Sequence, residues 1–276
     1  MDSLTDPESL RLLADSVRTI MVDPSVASGA KLDAALNDLG WLDMLAEMPD
    51  TSIPLVFRLL GETGAHAPIL NDVVLSTVGA TPAGTLPLPF AGASWVVWER
   101  GDGPSSALDG ELPIHRVPQG DSLPLAALAT ARRAVGWWLV GTSRAMLSLA
   151  RQHAVDRVQF GRRISSFQAI RHRLAETLVA IEGAEATLSA AAGQPDDADG
   201  LASLLAKAAA GQAALTAARH CQQVLGGIGF TAEHQLHHHV KRSLILDGLL
   251  GSTLELTREA GATLRAKGFA PRLTQL

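Results

Sequence analysis

Two clusters hold the residues with chemistry to offer. The first is Arg157-Val158-Gln159-Phe160-Gly161-Arg162-Arg163-Ile164, followed by Ser165-Ser166-Phe167-Gln168. Six arginines and one acid, Asp156, lie between residues 151 and 173. The pattern places them at a helix–loop–helix junction, where Gly161 frees the turn. The following helix opens with unpaired N–H groups and a positive dipole end. Such a junction suits a phosphate or pyrophosphate; the same charges also suit a solvated basic face. The second cluster is Gln222-Gln223-Val224-Leu225-Gly226-Gly227-Ile228-Gly229-Phe230-Thr231-Ala232-Glu233. Its three glycines allow close approach of backbone to a ligand or a neighbouring helix. Glycine also simply ends helices. No strand precedes it, so the dinucleotide-binding βαβ fingerprint is excluded.

Histidines and tryptophans form two lesser groups. Glu233, His234, His237, His238 and His239 fall on one predicted helix, with His234 and His238 at the i, i+4 spacing of zinc ligands. No cysteine or acid stands ready to complete a site, so helix packing or an interface is the expected role and no metal is expected. Trp137 and Trp138 belong to the core or to a partner contact.

Helices must position these residues. Asp6 and Pro7 mark a helix start, and Leu10, Leu13, Val17 and Ile20 follow at helical spacing. Further helical segments are predicted near Gly29–Glu47, near Ile53–Glu62 and over 66–79. Between residues 81 and 120, Pro82, Pro87, Pro89, Pro104, Pro113 and Pro118 preclude long helices. Residues 93–98 and 112–117 read as short strands there, the only β-like region. From Leu123 the chain reads as helices over about 123–158, 166–192, 201–225, 232–246 (with Thr231 as cap) and 253–267. The loop Gly193–Gly200 and the glycines at 226–229 break them. Long helices with short connections make an antiparallel bundle. The expected fold is mainly α: an N-terminal helical domain over 1–80, a remnant β segment over 81–120, and a C-terminal antiparallel four-helix bundle over 121–276.

Composition narrows the class. Of 276 residues, 47% are hydrophobic and 18% charged, which excludes a disordered chain. A formal net charge of −5 argues against a nucleic-acid binder. The single cysteine, Cys221, allows neither an internal disulfide nor a Cys-rich zinc site. No apolar run reads as reaching the roughly 18 residues of a membrane helix. The N-terminus carries acids where a secretory signal has basic residues. A soluble cytoplasmic protein is expected.

The two clusters together resemble a family. R-x-Q-F-G-x-x-I-x-x-F-Q, then about fifty residues later Q-x-x-G-G-x-G-x-T-x-E, looks like the C-terminal domain of the acyl-CoA dehydrogenases. The resemblance is specific over 123–268 and weaker over 1–80, where Glu62–Leu75 is similar to part of the family's N-terminal helical domain. It implies an N-terminal helical domain, a β domain and a C-terminal four-helix bundle, with FAD at a subunit interface. The family's β domain is much larger than residues 81–120 can supply. Carried over residue by residue, Arg157, Phe160 and Gln168 belong to the first motif. Gln223, Gly226 and Gly227 belong to the second. The resemblance places Arg157 on the pyrophosphate of a neighbouring subunit's FAD, and the second motif along the same ADP half.

The base is where this chain departs from the family. Members remove the substrate α-proton with a glutamate in a Y-E-G-T-like segment. Here that segment is Leu249-Leu250-Gly251-Ser252, so Leu250 stands at the base position. Some members use a position on the long helix instead, about 26 residues before the motif arginine; here it falls near Ala131. Asp247 and Glu255 are the nearest acids, and a solvated or capping role is expected for both. The family includes heteromeric members, notably in steroid side-chain degradation, whose two different subunits share each flavin site. This chain resembles the non-base subunit of such a complex. The implied partner is a homologous acyl-CoA dehydrogenase subunit carrying the catalytic glutamate, in an α2β2 heterotetramer. FAD is shared between them, an acyl-CoA is the substrate, and electron-transfer flavoprotein is an acceptor. No nucleic acid or membrane is expected as a partner. Two alternatives stand: a scaffold or binding homologue without flavin, and a same-fold enzyme doing other chemistry on CoA thioesters.

Overall fold

A computed structural model of the chain describes residues 6–101, 108, 111–193 and 200–270. Pro104, the acidic N-terminal start at 1–5 and most of the expected 193–200 loop lie outside the described residues.

Five helices come first: α1 (Pro7–Val22), α2 (Gly29–Asp38), α3 (Trp41–Glu47), α4 (Pro49–Thr63) and α5 (Leu70–Thr77). Asp6 caps α1, its carboxylate accepting from the Glu8 and Ser9 amides at 2.9 and 3.1 Å. The single helical segment expected over Gly29–Glu47 is in fact two. Gly40 takes φ 92°, a conformation that stops α2 and redirects the chain into α3.

The β segment is a three-stranded antiparallel sheet of β1 (Pro87–Phe90), β2 (Ser94–Trp98) and β3 (Ile114–Val117), in that order. Leu88, Val96, Trp98 and Ile114 form its buried face. It is not the only β structure, as the sequence suggested. A second, two-stranded pair of β4 (Val158–Gln159) and β5 (Arg162–Arg163) follows the long helix. Strands of two residues leave no period-2 pattern to read.

Five more helices follow among the described residues: α6 (Leu125–Asp156), α7 (Gln168–Ala192), α8 (Leu201–Leu225), α9 (Leu236–Gly248) and α10 (Thr253–Lys267). Helices α6, α7, α8 and α9 pack side by side as the bundle, and α10 lies on α8. Helix α9 starts four residues later than expected. A 3-10 turn over Gly226–Phe230 uses up the preceding chain, so Thr231 ends that turn and does not cap α9.

Helix α6 joins the three regions. Trp138 on α6 stacks on Trp98 of β2 at 5.2 Å and meets Phe57 of α4 edge-on at 5.9 Å; Phe57 in turn meets Trp41 at 6.3 Å. Helices α4 and α6 approach so closely at Gly61 and Gly141 that a Cβ on either would overlap the other helix's backbone. One apolar cluster therefore runs from α1 through the sheet into the bundle.

One expectation about membranes needs correction. Leu201–Phe230 is long and apolar enough to cross a membrane by length and composition. Within the fold, 72% of its apolar window is buried. Ala206, Ala210, Ala213, Ala214 and Ala217 make it a central bundle helix packed on α6 and α7.

Candidate functional site

The first motif is built at the exit of α6. The Arg157 amide donates to the His153 carbonyl at 2.9 Å, and Arg157 then turns to extended backbone. Val158 pairs with Arg163 and Gln159 with Arg162. Phe160 and Gly161 form the two-residue turn between them, with φ 54° and 75°. Positive φ at both central residues marks the primed turns that suit the twist of a short hairpin. The expected helix–loop–helix is thus a helix–hairpin–helix. The turn lifts Phe160 until it is 89% exposed. Its ring meets Phe167 edge-on at 6.0 Å, and the Arg162 guanidinium lies 4.2 Å over the Phe167 ring. Gln168 then opens α7, where no side chain caps the first-turn amides. Arg157, Arg162, Arg163, Gln168, Arg171 and Arg173 are all exposed. A groove of about 430 Å³ runs along Gln168, Arg171, His172 and Ala175.

The second motif reaches the same end of the bundle. Gly226 ends α8 at φ 66°, ψ −140°, a conformation that glycine adopts without penalty. Gly229 packs against Gln222 and Leu225, while a Cβ at Gly161, Gly226 or Gly227 would meet nothing within 4 Å. Gln223 and Gly227 are exposed, with Ile228 at 41% and Phe230 at 66%. Ile164 of the first motif and Val224 and Leu225 of the second pack on one apolar cluster with Met146, Ala150, Ala154 and Leu236. Burial first, and then the neighbouring His234 and Arg157, hold His153 below the usual histidine range. Both motifs therefore rest on one apolar cluster, and each leaves exposed residues outside it.

Leu250, the position expected for a base, lies at the other end of α9 and has the opposite character. Leu250 is 1% exposed and takes φ 62°. Its amide donates to the Pro89 carbonyl at 2.8 Å, and its own carbonyl accepts from Arg132 Nε at 3.2 Å. Lys207 was not singled out from sequence, being one charge in an apolar helix. It is buried beneath the loop and donates to the Asp247 carbonyl at 2.5 Å and to the Gly251 carbonyl. Burial pushes its pKa down to about 7. Ala131 is buried in the core and offers no polar atom.

The nearby acids are structural. Asp247 Oδ1 accepts from the Thr253 amide at 3.1 Å and from its hydroxyl at 2.5 Å. Glu255 closes a capping box with Ser252 and accepts from the Gly92 amide at 2.8 Å. The Gly92 and Ser252 amides hold its carboxyl below the usual range. A carboxylate so engaged is a poor proton acceptor.

The histidines are rearranged relative to the sequence expectation. His234 precedes α9 and accepts from the Leu236 amide, so it does not share a helical face with His238. His239 is largely buried, and burial together with Arg242 holds it at about 4.

Comparison with known proteins follows this geometry. Residues 119–261 match the model described as "Acyl-CoA dehydrogenase, C-terminal domain". The chain is 32% identical over 213 residues to acyl-CoA dehydrogenase FadE34 of Mycobacterium tuberculosis, covering 71% of this chain and 30% of that protein. It is 39% identical over 119 residues to acyl-CoA dehydrogenase IpdE2 of the same organism, covering 43% of this chain and 36% of the relative. The chain thus spans about a third of the length of these relatives. Its fold superimposes on a steroid acyl-CoA dehydrogenase variant, Tcur3481-Tcur3483, with TM-score 0.73, 18% identity and 95% and 98% of the two chains covered. It superimposes on the ChsE4-ChsE5 complex of Mycobacterium tuberculosis with TM-score 0.72, 19% identity and 98% and 100% covered.

Proposed function

Because this chain belongs to the acyl-CoA dehydrogenase family, we propose that it is the non-base subunit of a heteromeric, FAD-dependent acyl-CoA dehydrogenase. The observation that carries the reading is Leu250. At the position of the proton-abstracting glutamate stands a buried hydrocarbon side chain, in a loop bonded from below by Arg132 and Lys207. Leucine accepts no proton. Lys207 cannot stand in as base, because its nitrogen is buried and engaged with two carbonyls. A homologous subunit carrying the glutamate completes the reaction, in an α2β2 assembly.

The cofactor surface fits the part that remains. A dinucleotide pyrophosphate needs cations, free amides and room for close backbone approach. Arg157, the uncapped first turn at Gln168, and the open glycines 226 and 227 could supply these at one end of the bundle. In this reading Arg157 and Gln168 hold the pyrophosphate, Gln223 and the glycine turn lie along the ADP half, and Phe160 covers it. When bound, FAD supplies the hydride acceptor for α,β-desaturation. The fold neighbours named as a steroid dehydrogenase and as a two-subunit complex support a steroid-derived acyl-CoA as substrate. As the family resemblance implies, we take an electron transferring flavoprotein as the acceptor.

The test is co-expression with a homologue that carries the glutamate. The pair is expected to co-purify yellow and to desaturate acyl-CoA, while this chain alone is colourless and inactive. Leu250→Glu in the isolated chain is expected to restore nothing, because a base acts only on an oriented substrate and acceptor. A yellow, active homomer overturns the reading.

A further inference from the structure

The first turn of α9 and the start of β3 meet in a cluster that the function above does not use. Glu111 stands three residues before β3 (Ile114–Val117). Its Oε1 lies 2.5 Å from His238 Nδ1. The His237 ring lies beside that of His238, with centroids 3.7 Å apart. Each of the three residues offers one ligand atom, and these atoms all lie within 4.8 Å of one another. We propose that Glu111, His237 and His238 form a binding site for a divalent transition ion of the zinc class.

The donor set is that of known zinc chemistry. Two imidazoles and a carboxylate bind zinc in open sites, with a fourth position left to water. Imidazole also selects zinc-like ions over magnesium or calcium, which prefer all-oxygen sites. The surroundings prepare the ligands. His237 Nδ1 lies 2.8 Å from the His234 carbonyl and donates to it, which fixes the tautomer and leaves the lone pair on Nε2. Metal-bound histidines are commonly oriented by such a bond from the other ring nitrogen. Arg242 Nη2 lies 3.8 Å from Glu111 Oε2 and holds the carboxylate by that oxygen, with Oε1 toward His238. Ligands on a tetrahedral ion stand roughly 3.4 Å apart, given bonds of about 2.1 Å. The Glu111–His238 contact must therefore open by about 1 Å, and the His237 ring must swing in. The ion also displaces to solvent the proton shared by Glu111 Oε1 and His238 Nδ1; both side chains are part-exposed, at 36% and 47%.

The site has a mechanical consequence. The C-terminal end of α9 is already tied to β1, through Leu250 N to Pro89 O and Ala91 N to Gly248 O, both at 2.8 Å. An ion at Glu111 ties the N-terminal end of the same helix to the chain entering β3. The sheet is then fastened to the bundle at both ends of one helix.

The probe is Zn²⁺ alone, titrated calorimetrically into the full chain after tag removal and chelation. One site tighter than about 10 µM is expected. Glu111→Gln and His238→Ala are each expected to weaken it by at least about tenfold. His172→Ala, on the exposed face of α7, should leave it unchanged. Saturating zinc should raise the melting temperature of the wild type by roughly 5–10 °C at a hundredfold excess over Kd. Co²⁺ in place of zinc should give the strong visible bands of a low-coordinate site, a readout independent of any variant's folding. Failure of wild type to bind, a cobalt spectrum identical to the aqueous ion, or binding unaltered by Glu111→Gln overturns the proposal.

Discussion

Phe160 and Leu250 share a backbone conformation and little else. Both hold positive φ, 54° and 62°, where side-chain-bearing residues rarely sit. Phe160 is 89% exposed and Leu250 is 1% exposed. Around Phe160 stand exposed arginines, uncapped amides and open glycines. Around Leu250 every neighbour is engaged: Pro89, Arg132 and Lys207 bond the loop, and Asp247 and Glu255 cap α10. The same local strain thus serves opposite ends. At one turn it presents side chains outward, toward something the chain itself does not contain. At the other it folds a side chain inward and closes the place proposed above for a missing proton acceptor. The contrast predicts a clean separation: substitutions at the first turn act on ligand binding, and substitutions at the second act on stability.

The largest effect is expected at Arg157. In the complex with its partner, Arg157→Ala should lower FAD affinity by roughly 30- to 4,000-fold, corresponding to about 2–5 kcal/mol for an unpaired interfacial charge. Arg157→Lys should recover only part, since a point charge cannot reproduce the planar fork. The apo complex should lose at most about 1 kcal/mol, the worth of a cation at a helix end. Melting with and without FAD measures both quantities. An equal drop in the two conditions makes Arg157 structural and erases the contrast.

Leu250→Gly is the counterpart at the buried turn. Glycine relieves a left-handed conformation worth about 1 kcal/mol. The lost side chain costs about 2–5 kcal/mol, as for other buried leucines. The freedom of glycine in the unfolded chain adds about 0.4–1 kcal/mol, so a net loss of roughly 1.4–5 kcal/mol in urea unfolding is expected. A gain in stability would mean that strain, and not packing, governs this loop.

Lys207 sharpens the same point through pH. Its folded pKa is about 7, against about 10.4 in an unfolded chain. Between those values the unfolded chain binds a proton that the folded chain does not, so stability rises with pH. The contribution is complete above about pH 10.4 and is lost as pH falls to about 7, with a slope of up to about 1.4 kcal/mol per unit. Lys207→Met should flatten that slope. Urea unfolding at pH 7, 8 and 9 compares the two proteins, and parallel curves would refute the assignment.

What the sequence revealed divides along the same line. The exposed motifs were legible, because each sets its arginines or glycines at short fixed spacings within one stretch of chain. The long helices were legible from their period, and the leucine at 250 was legible by its type though not by its surroundings. The clamp beneath Leu250 was not. Lys207 lies 40 residues from Asp247 and 44 from Gly251, and one lysine in an alanine-rich helix looks like an ordinary surface charge. Glu111 was missed for the same reason, standing 127 residues from His238. The Val158–Arg163 hairpin went unread because two-residue strands carry no periodicity. Local chemistry shows in sequence; partnerships made by the fold do not.

The smallest effect is expected where the strain is most visible. Phe160→Gly keeps the turn, because glycine takes φ 54° freely. It removes a conformational cost of about 1 kcal/mol. Against this stand the edge contact with Phe167, worth about 0.5–1.5 kcal/mol, and the greater freedom of glycine in the unfolded chain, worth about 0.4–1 kcal/mol. The side chain is 89% exposed, so almost no burial is lost. The terms partly cancel, and stability should fall by between about 0 and 1.5 kcal/mol. FAD binding by the complex should nevertheless weaken, because the ring is proposed to cover the cofactor. Urea unfolding of the isolated chain and FAD titration of the complex separate the two outcomes. If stability falls by several kcal/mol, Phe160 is a packing residue like Leu250 and the two turns are not opposites. If neither quantity moves, the ring covers nothing, and the outward turn serves Arg157 and Gly161 alone.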